Sequence, residues 1–132
     1  MTSSTWTSDL GGRLTGVGID AESASRFGPA VPGESPLPLV FSEREARHID
    51  GLPEPARGYC AAFCAKEAFF KATGVPMDPR ACRLWWDPGR ETLDLDLDDD
   101  LARETGVARA VARVAWDGDA CVVEVYAIGR DA

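Results

Sequence analysis

The sequence predicts an α+β domain, with helices packed on an antiparallel sheet. Three observations lead there. The first half holds helix-length segments bounded by caps and prolines. From residue 81 onward the apolar period changes from helical to alternating. The turns between the alternating stretches carry glycine and aspartate. The 132 residues amount to one domain. We expect it to span residues 13–130, after a disordered leader over residues 1–12.

In chain order, "LTGVGID" (14–20) is apolar, broken by glycines and closed by Asp20, and reads as a buried strand. "AESASRF" (21–27) reads as a short helix following it. Four prolines and two glycines in residues 28–39 exclude regular structure there, leaving a long loop. "SEREARHI" (42–49) begins with a helix-start signature: Ser42 as N-cap, Glu45 as its capping-box partner and Phe41 as a staple. His48 in this charged helix reads as a surface or salt-bridging side chain. After Pro53 and Pro55 a long helix is expected over residues 55–73, closed by Gly74 and followed by Pro76. Residues 81–87, 91–98, 108–116 and 120–129 alternate and read as strands, with Asp117-Gly118 as a hairpin turn. A short helix over residues 98–106 has acids at its start and Gly106 at its end. Asp94, Asp96 and Asp98 fall on one strand face and read as a charged sheet edge, since no EF-hand glycine or terminal glutamate follows.

No apolar run approaches the ~18–20 residues that span a bilayer, and the N-terminus lacks the basic and apolar regions of an export signal. A cytoplasmic location is the expectation. The 14 basic and 22 acidic residues give a net charge of −8, which argues against nucleic acid or an anionic membrane as partner. Cys60, Cys64, Cys82 and Cys121 have no CxxC spacing, and Cys60 and Cys64 find no second pair. They read as buried thiols in a reducing compartment.

The stretch "FCAKEAFFKATG" (63–74) sets charges among core-type residues. A period of 3.6 puts Cys60, Cys64, Glu67 and Lys71 on one stripe, with Phe63, Lys66 and Phe70 on the next. A Glu–Lys pair at this spacing stabilises a helix by only about 0.2–0.5 kcal/mol, so stability gives little reason for partly burying it. If this face meets the strand ending in Asp20, two carboxylates and a lysine converge. Two carboxylates with room for waters suit Mg²⁺ when it also binds substrate phosphates, and a lysine adds a point charge for them. An ordinary helix salt bridge is the alternative.

"GVGID", then Arg26-Phe27, then "VFSEREA", then "YCAAFCAKEAFFKATG" resembles the 4′-phosphopantetheinyl transferase superfamily, in its compact holo-acyl-carrier-protein synthase form, over residues 14–129. The resemblance implies that family's α+β fold. It implies transfer of 4′-phosphopantetheine from coenzyme A to a serine of an acyl or peptidyl carrier protein, leaving 3′,5′-ADP. It implies Asp20 and Glu67 as magnesium ligands and as catalytic residues with Lys71. It gives Lys71 the phosphate contact, places Lys66, the other motif lysine, with Phe63 and Gly74 in the same coenzyme-binding motif, and gives Arg26 a contact to the carrier protein. The compact members are homotrimers.

Three positions depart from the family pattern. Ala62 stands where a basic residue is usual, Glu91 where a proline is common, and Trp116 where a histidine belongs. Tryptophan offers one donor and no base. A metal-bound water, Asp117 or bulk solvent is left to take the serine proton. Asp20, Glu67 and Lys71 favour an active transferase. Ala62, Glu91 and Trp116 favour a second reading, a scaffold of the same fold that has lost transfer and serves an assembly-line pathway as an interaction subunit or in other chemistry.

Overall fold

The computed structural model describes residues 12–28 and 36–130. Residues 1–11 of the expected leader and 29–35 of the long loop lie outside the described residues. The elements run β1 (Arg13–Ser23), a 3-10 turn (Ala24–Phe27), α1 (Glu43–Asp50), α2 (Pro55–Thr73), a 3-10 turn (Pro79–Ala81), β2 (Cys82–Arg83), β3 (Thr92–Asp94), β4 (Asp96–Leu97), α3 (Asp99–Thr105), β5 (Val107–Asp117) and β6 (Ala120–Gly129). Four strands form one antiparallel sheet in the order β1-β6-β5-β3, while β2 and β4 pair separately. This is the α+β architecture expected. Among the described residues no helix is long and apolar enough to cross a membrane.

Helix α2 lies across the sheet, packed on β1 and β6. Its Tyr59, Cys60, Cys64, Ala68 and Phe69 join Val114, Val123 and Val125 in one apolar core. Pro55 sits in its first turn, and Gly74 closes it in the left-handed conformation at φ 70°. Helix α1 begins as its sequence predicts, with the Ser42 side chain accepting from the Glu45 N–H at 3.1 Å.

The glycines of "GVGID" have a packing reason. A Cβ on Gly18 would meet the Ala68 carbonyl oxygen at 1.9 Å, and one on Gly16 would meet that of Ala72 at 2.0 Å. The backbones of β1 and α2 therefore touch, which only glycine permits. This crossing delivers Asp20, at the far end of β1, to the C-terminal half of α2.

Several expectations are corrected. β1 is not buried: Val17 and Ile19 are 50% and 53% exposed, because α2 covers only one face of this edge strand. β1 runs on to Ser23, and the helix expected over residues 21–27 shrinks to the 3-10 turn, held by the Ala24 N–H donating to the Asp119 carbonyl at 2.9 Å. The strands expected over residues 81–87 and 91–98 survive only as short pieces. Leu95 is buried between β3 and β4, so the aspartates do not form one ladder. Asp94 pairs with Arg109 at 2.9 Å, whereas Asp96 and Asp98 both pair with Arg83, at 3.1 and 2.7 Å. His48, by contrast, is exposed as expected, and its Nε2 lies 2.9 Å from the Trp86 carbonyl oxygen.

Candidate active site

At the crossing of β1 and α2, Lys71 Nζ lies 2.9 Å from Asp20 Oδ1 and donates to the Ile19 carbonyl at 3.1 Å. Asp20 is 16% exposed at its side chain and Lys71 50%, so the pair opens to solvent from a partly sheltered carboxylate. Asp20 first, and then Glu67 one turn back on α2, hold the Lys71 ammonium above its ordinary range. Lys71 thus touches Asp20 on β1 and lies within electrostatic reach of Glu67 on its own helix. Beside them, Glu67 and Phe70 line a groove of about 350 Å³ with Lys66, Pro76, Met77 and Pro79. Larger depressions of about 620 and 710 Å³ are lined by other elements and include none of these three residues.

Lys66, expected among the coenzyme-binding residues, turns its ammonium into the core. Its side chain is 2% exposed, and its ammonium lies 2.9 Å from Glu45 Oε1 and donates to the carbonyls of Pro79 and Cys82 at 2.7 and 2.5 Å. The Glu45 carboxylate is wholly buried and also accepts the Leu84 N–H at 3.2 Å. Burial pushes the Glu45 carboxyl up and the Lys66 ammonium down, and their mutual attraction opposes both shifts. With its protons directed inward, Lys66 fastens α2 to α1 and to the segment before β2. The capping-box signature located Glu45 on its helix but gave no sign of this second partner.

Arg26 stands apart. It is paired with Glu22 and sits over the Phe63 ring at 4.9 Å, while Phe63 packs on Phe27 at 5.5 Å. Arg26 and Phe63 thus form a second patch, and neither Phe63 nor Gly74 lines the groove.

The departures from the family pattern acquire physical reasons. Ala62 is fully buried in the core, so a charge there would not face solvent. Glu91 is exposed and pairs with Arg113 at 3.1 Å. Trp116 carries the Arg57 guanidinium over its ring at 4.3 Å, and Arg57 donates to the Gly118 carbonyl at 2.8 Å. Positive charge is therefore present at this corner, supplied by a residue for which the sequence gave no signal. In the adjacent turn Asp119 accepts from the Ser23 hydroxyl and from the Ser25 N–H, which holds its carboxyl below the usual range.

The four cysteines are free and buried, as expected, but three of them cluster. Cys121 on β6 faces Cys60 and Cys64, and the three sulfurs lie within 4.8 Å of one another, all buried. Only the antiparallel pairing of β6 beneath α2 brings the third sulfur in, so sequence spacing could not reveal it. Cys82 lies elsewhere, its thiol pushed up to about 12 by burial.

A family model described as the 4′-phosphopantetheinyl transferase superfamily matches residues 16–116. The chain belongs to the 4′-phosphopantetheinyl transferase superfamily. A holo-[acyl-carrier-protein] synthase of Anaeromyxobacter dehalogenans strain 2CP-C is 34% identical over 124 residues, which are 88% of this chain and 97% of that relative. Among solved structures, a holo-ACP-synthase from Plasmodium yoelii superposes with a TM-score of 0.71 at 18% identity, covering 92% of this chain and 99% of that one. An ACPS–CoA complex of Chronobacterium ammoniagenes superposes at 0.64 and 22% identity, over 87% and 98% of the two chains. At these identities the structures establish the fold, and the family match establishes the enzyme as a phosphopantetheinyl transferase.

The donors at the crossing fit a magnesium ion. Asp20 and Glu67 offer hard carboxylate oxygens and no sulfur or imidazole, and Lys71 already holds a cationic group 2.9 Å from Asp20 Oδ1.

Proposed function

We propose that this enzyme transfers 4′-phosphopantetheine from coenzyme A to a serine hydroxyl of an acyl or peptidyl carrier protein, with Mg²⁺ held by Asp20 and Glu67. The convergence of Asp20, Glu67 and Lys71 beside the open groove carries the reading. The serine hydroxyl gives up its proton to bulk water, its oxygen forms a bond to the β-phosphorus, the bond to the bridging oxygen breaks, and 3′,5′-ADP leaves with that oxygen. The ion supplies neutralisation of phosphate charge. Lys71, raised above its ordinary range and half exposed, contributes a fixed positive charge toward the same phosphates. Its contact with Asp20 orients the ammonium.

Arg26, in the separate patch over Phe63, is the carrier-protein contact in this proposal, and substrate charge competes there with Glu22. The exposed Leu14, Val17 and Ile19 along β1 support assembly as a homotrimer, for which sedimentation should give three chains per particle and a monomer would be the opposing result. Four free, buried thiols support a reducing, cytoplasmic setting.

The test is intact-protein mass spectrometry of a panel of apo carrier proteins incubated with the enzyme, Mg²⁺ and coenzyme A. A phosphopantetheine mass gain that disappears with chelator is expected. No gain across the panel, from folded enzyme, would favour the scaffold that has lost transfer.

A further inference from the structure

The three-sulfur cluster plays no part in the transfer just described. Cys60 and Cys64 lie one turn apart on α2, and Cys121 comes from β6 across the interface. All three are wholly buried, and no histidine or carboxylate joins them within the same reach among the described residues. From these sulfurs we infer a trigonal thiolate site for a soft monovalent cation, with cuprous copper as its ion. Such ligands select thiophilic metals, and a structural zinc site takes four ligands where this cluster offers three.

The geometry favours a bound ion over a bond between sulfurs. A metal about 2.3 Å from each of three coplanar sulfurs sets them about 4.0 Å apart. The widest pair, within 4.8 Å, therefore closes by no more than about 0.8 Å. A disulfide needs Cβ atoms about 3.5–4.5 Å apart, whereas residues at i and i+4 on a helix hold theirs about 5–6 Å apart, which rules out a Cys60–Cys64 bridge without unwinding α2. A bridge from Cys121 to either one would leave the third sulfur idle. An ion uses all three and stitches β6 to α2, three residues before Glu67 and opposite the strand that carries Asp20.

The test is anaerobic titration of the reduced protein with Cu(I) against a chromophoric Cu(I) chelator, followed by X-ray absorption at the copper edge. One copper per chain, bound to three sulfurs at about 2.3 Å, is expected. Cys64→Ala and Cys121→Ala, checked for folding by circular dichroism, should each weaken binding by about 100-fold or more, and Cys82→Ala should leave it unchanged. If one of the first two fails to fold, Cys60→Ala replaces it. Unaltered copper affinity in a folded cluster variant, a two-sulfur copper centre, or no copper on folded wild-type protein would overturn the assignment.

Discussion

Replacing Lys66 by methionine tests the role the fold gives this residue. The substitution keeps most of the aliphatic volume and removes the ammonium that faces Glu45 at 2.9 Å and two carbonyls at 2.7 and 2.5 Å. At an effective dielectric near 20 the bare attraction is about 6 kcal/mol. Much of it offsets the cost of taking both ions out of water, since Glu45 is 0% and Lys66 2% exposed. The remaining carboxylate would be stranded, and breaking one side of such a buried pair costs about 3–5 kcal/mol. In a domain of this size that corresponds to a fall in Tm of roughly 10–20 °C. Urea and thermal unfolding followed by circular dichroism measure it. The Lys66→Met, Glu45→Gln double variant should regain most of the loss, because no unpaired ion is left. A single variant within about 1 kcal/mol of wild type would refute the buried-pair account and return Lys66 to solvent or to a ligand.

Gly18→Ala forces a Cβ to within 1.9 Å of the Ala68 carbonyl, so β1 must lift from α2. We expect a loss of at least about 1–3 kcal/mol together with reduced transfer, and a variant of native stability and activity would contradict the close crossing. Asp119 has a lowered folded pKa, with Ser23 the main cause, against 3.8 unfolded. Its contribution is therefore complete above pH 3.8 and disappears as pH falls through the folded value. Asp119→Asn should be less stable than wild type at about pH 5, and the gap should narrow by about pH 3; a constant gap in urea midpoints would contradict it.

The parts of the fold legible in the sequence are those with local causes. α2 begins and ends where Pro55 and Gly74 place it, and α1 begins at the Ser42 cap. The stripe carrying Glu67 and Lys71 was legible from the helical period, whereas its meeting with Asp20 depends on the close approach of β1 at Gly16 and Gly18, which only the fold shows. Non-local pairing was not legible. Cys121 reaches Cys60 and Cys64 only through the β6–α2 interface, and Arg57 reaches Trp116 across a corner built from separate elements. β1 looked buried because its residues are apolar, but composition cannot tell a covered strand from an edge strand with one open face. Lys66 looked like a ligand residue because its neighbours on α2 do, and its partner Glu45 lies on another helix.

The most direct test of the central claim compares wild-type enzyme with Glu67→Ala in the Mg²⁺-dependent carrier-protein assay. Glu67 is half-buried at the groove and carries no packing role comparable to that of Phe69, so the variant should stay folded. The account predicts transfer reduced by about 100-fold or more, with circular dichroism unchanged. Undiminished transfer by the folded variant would contradict the site built from Asp20, Glu67 and Lys71.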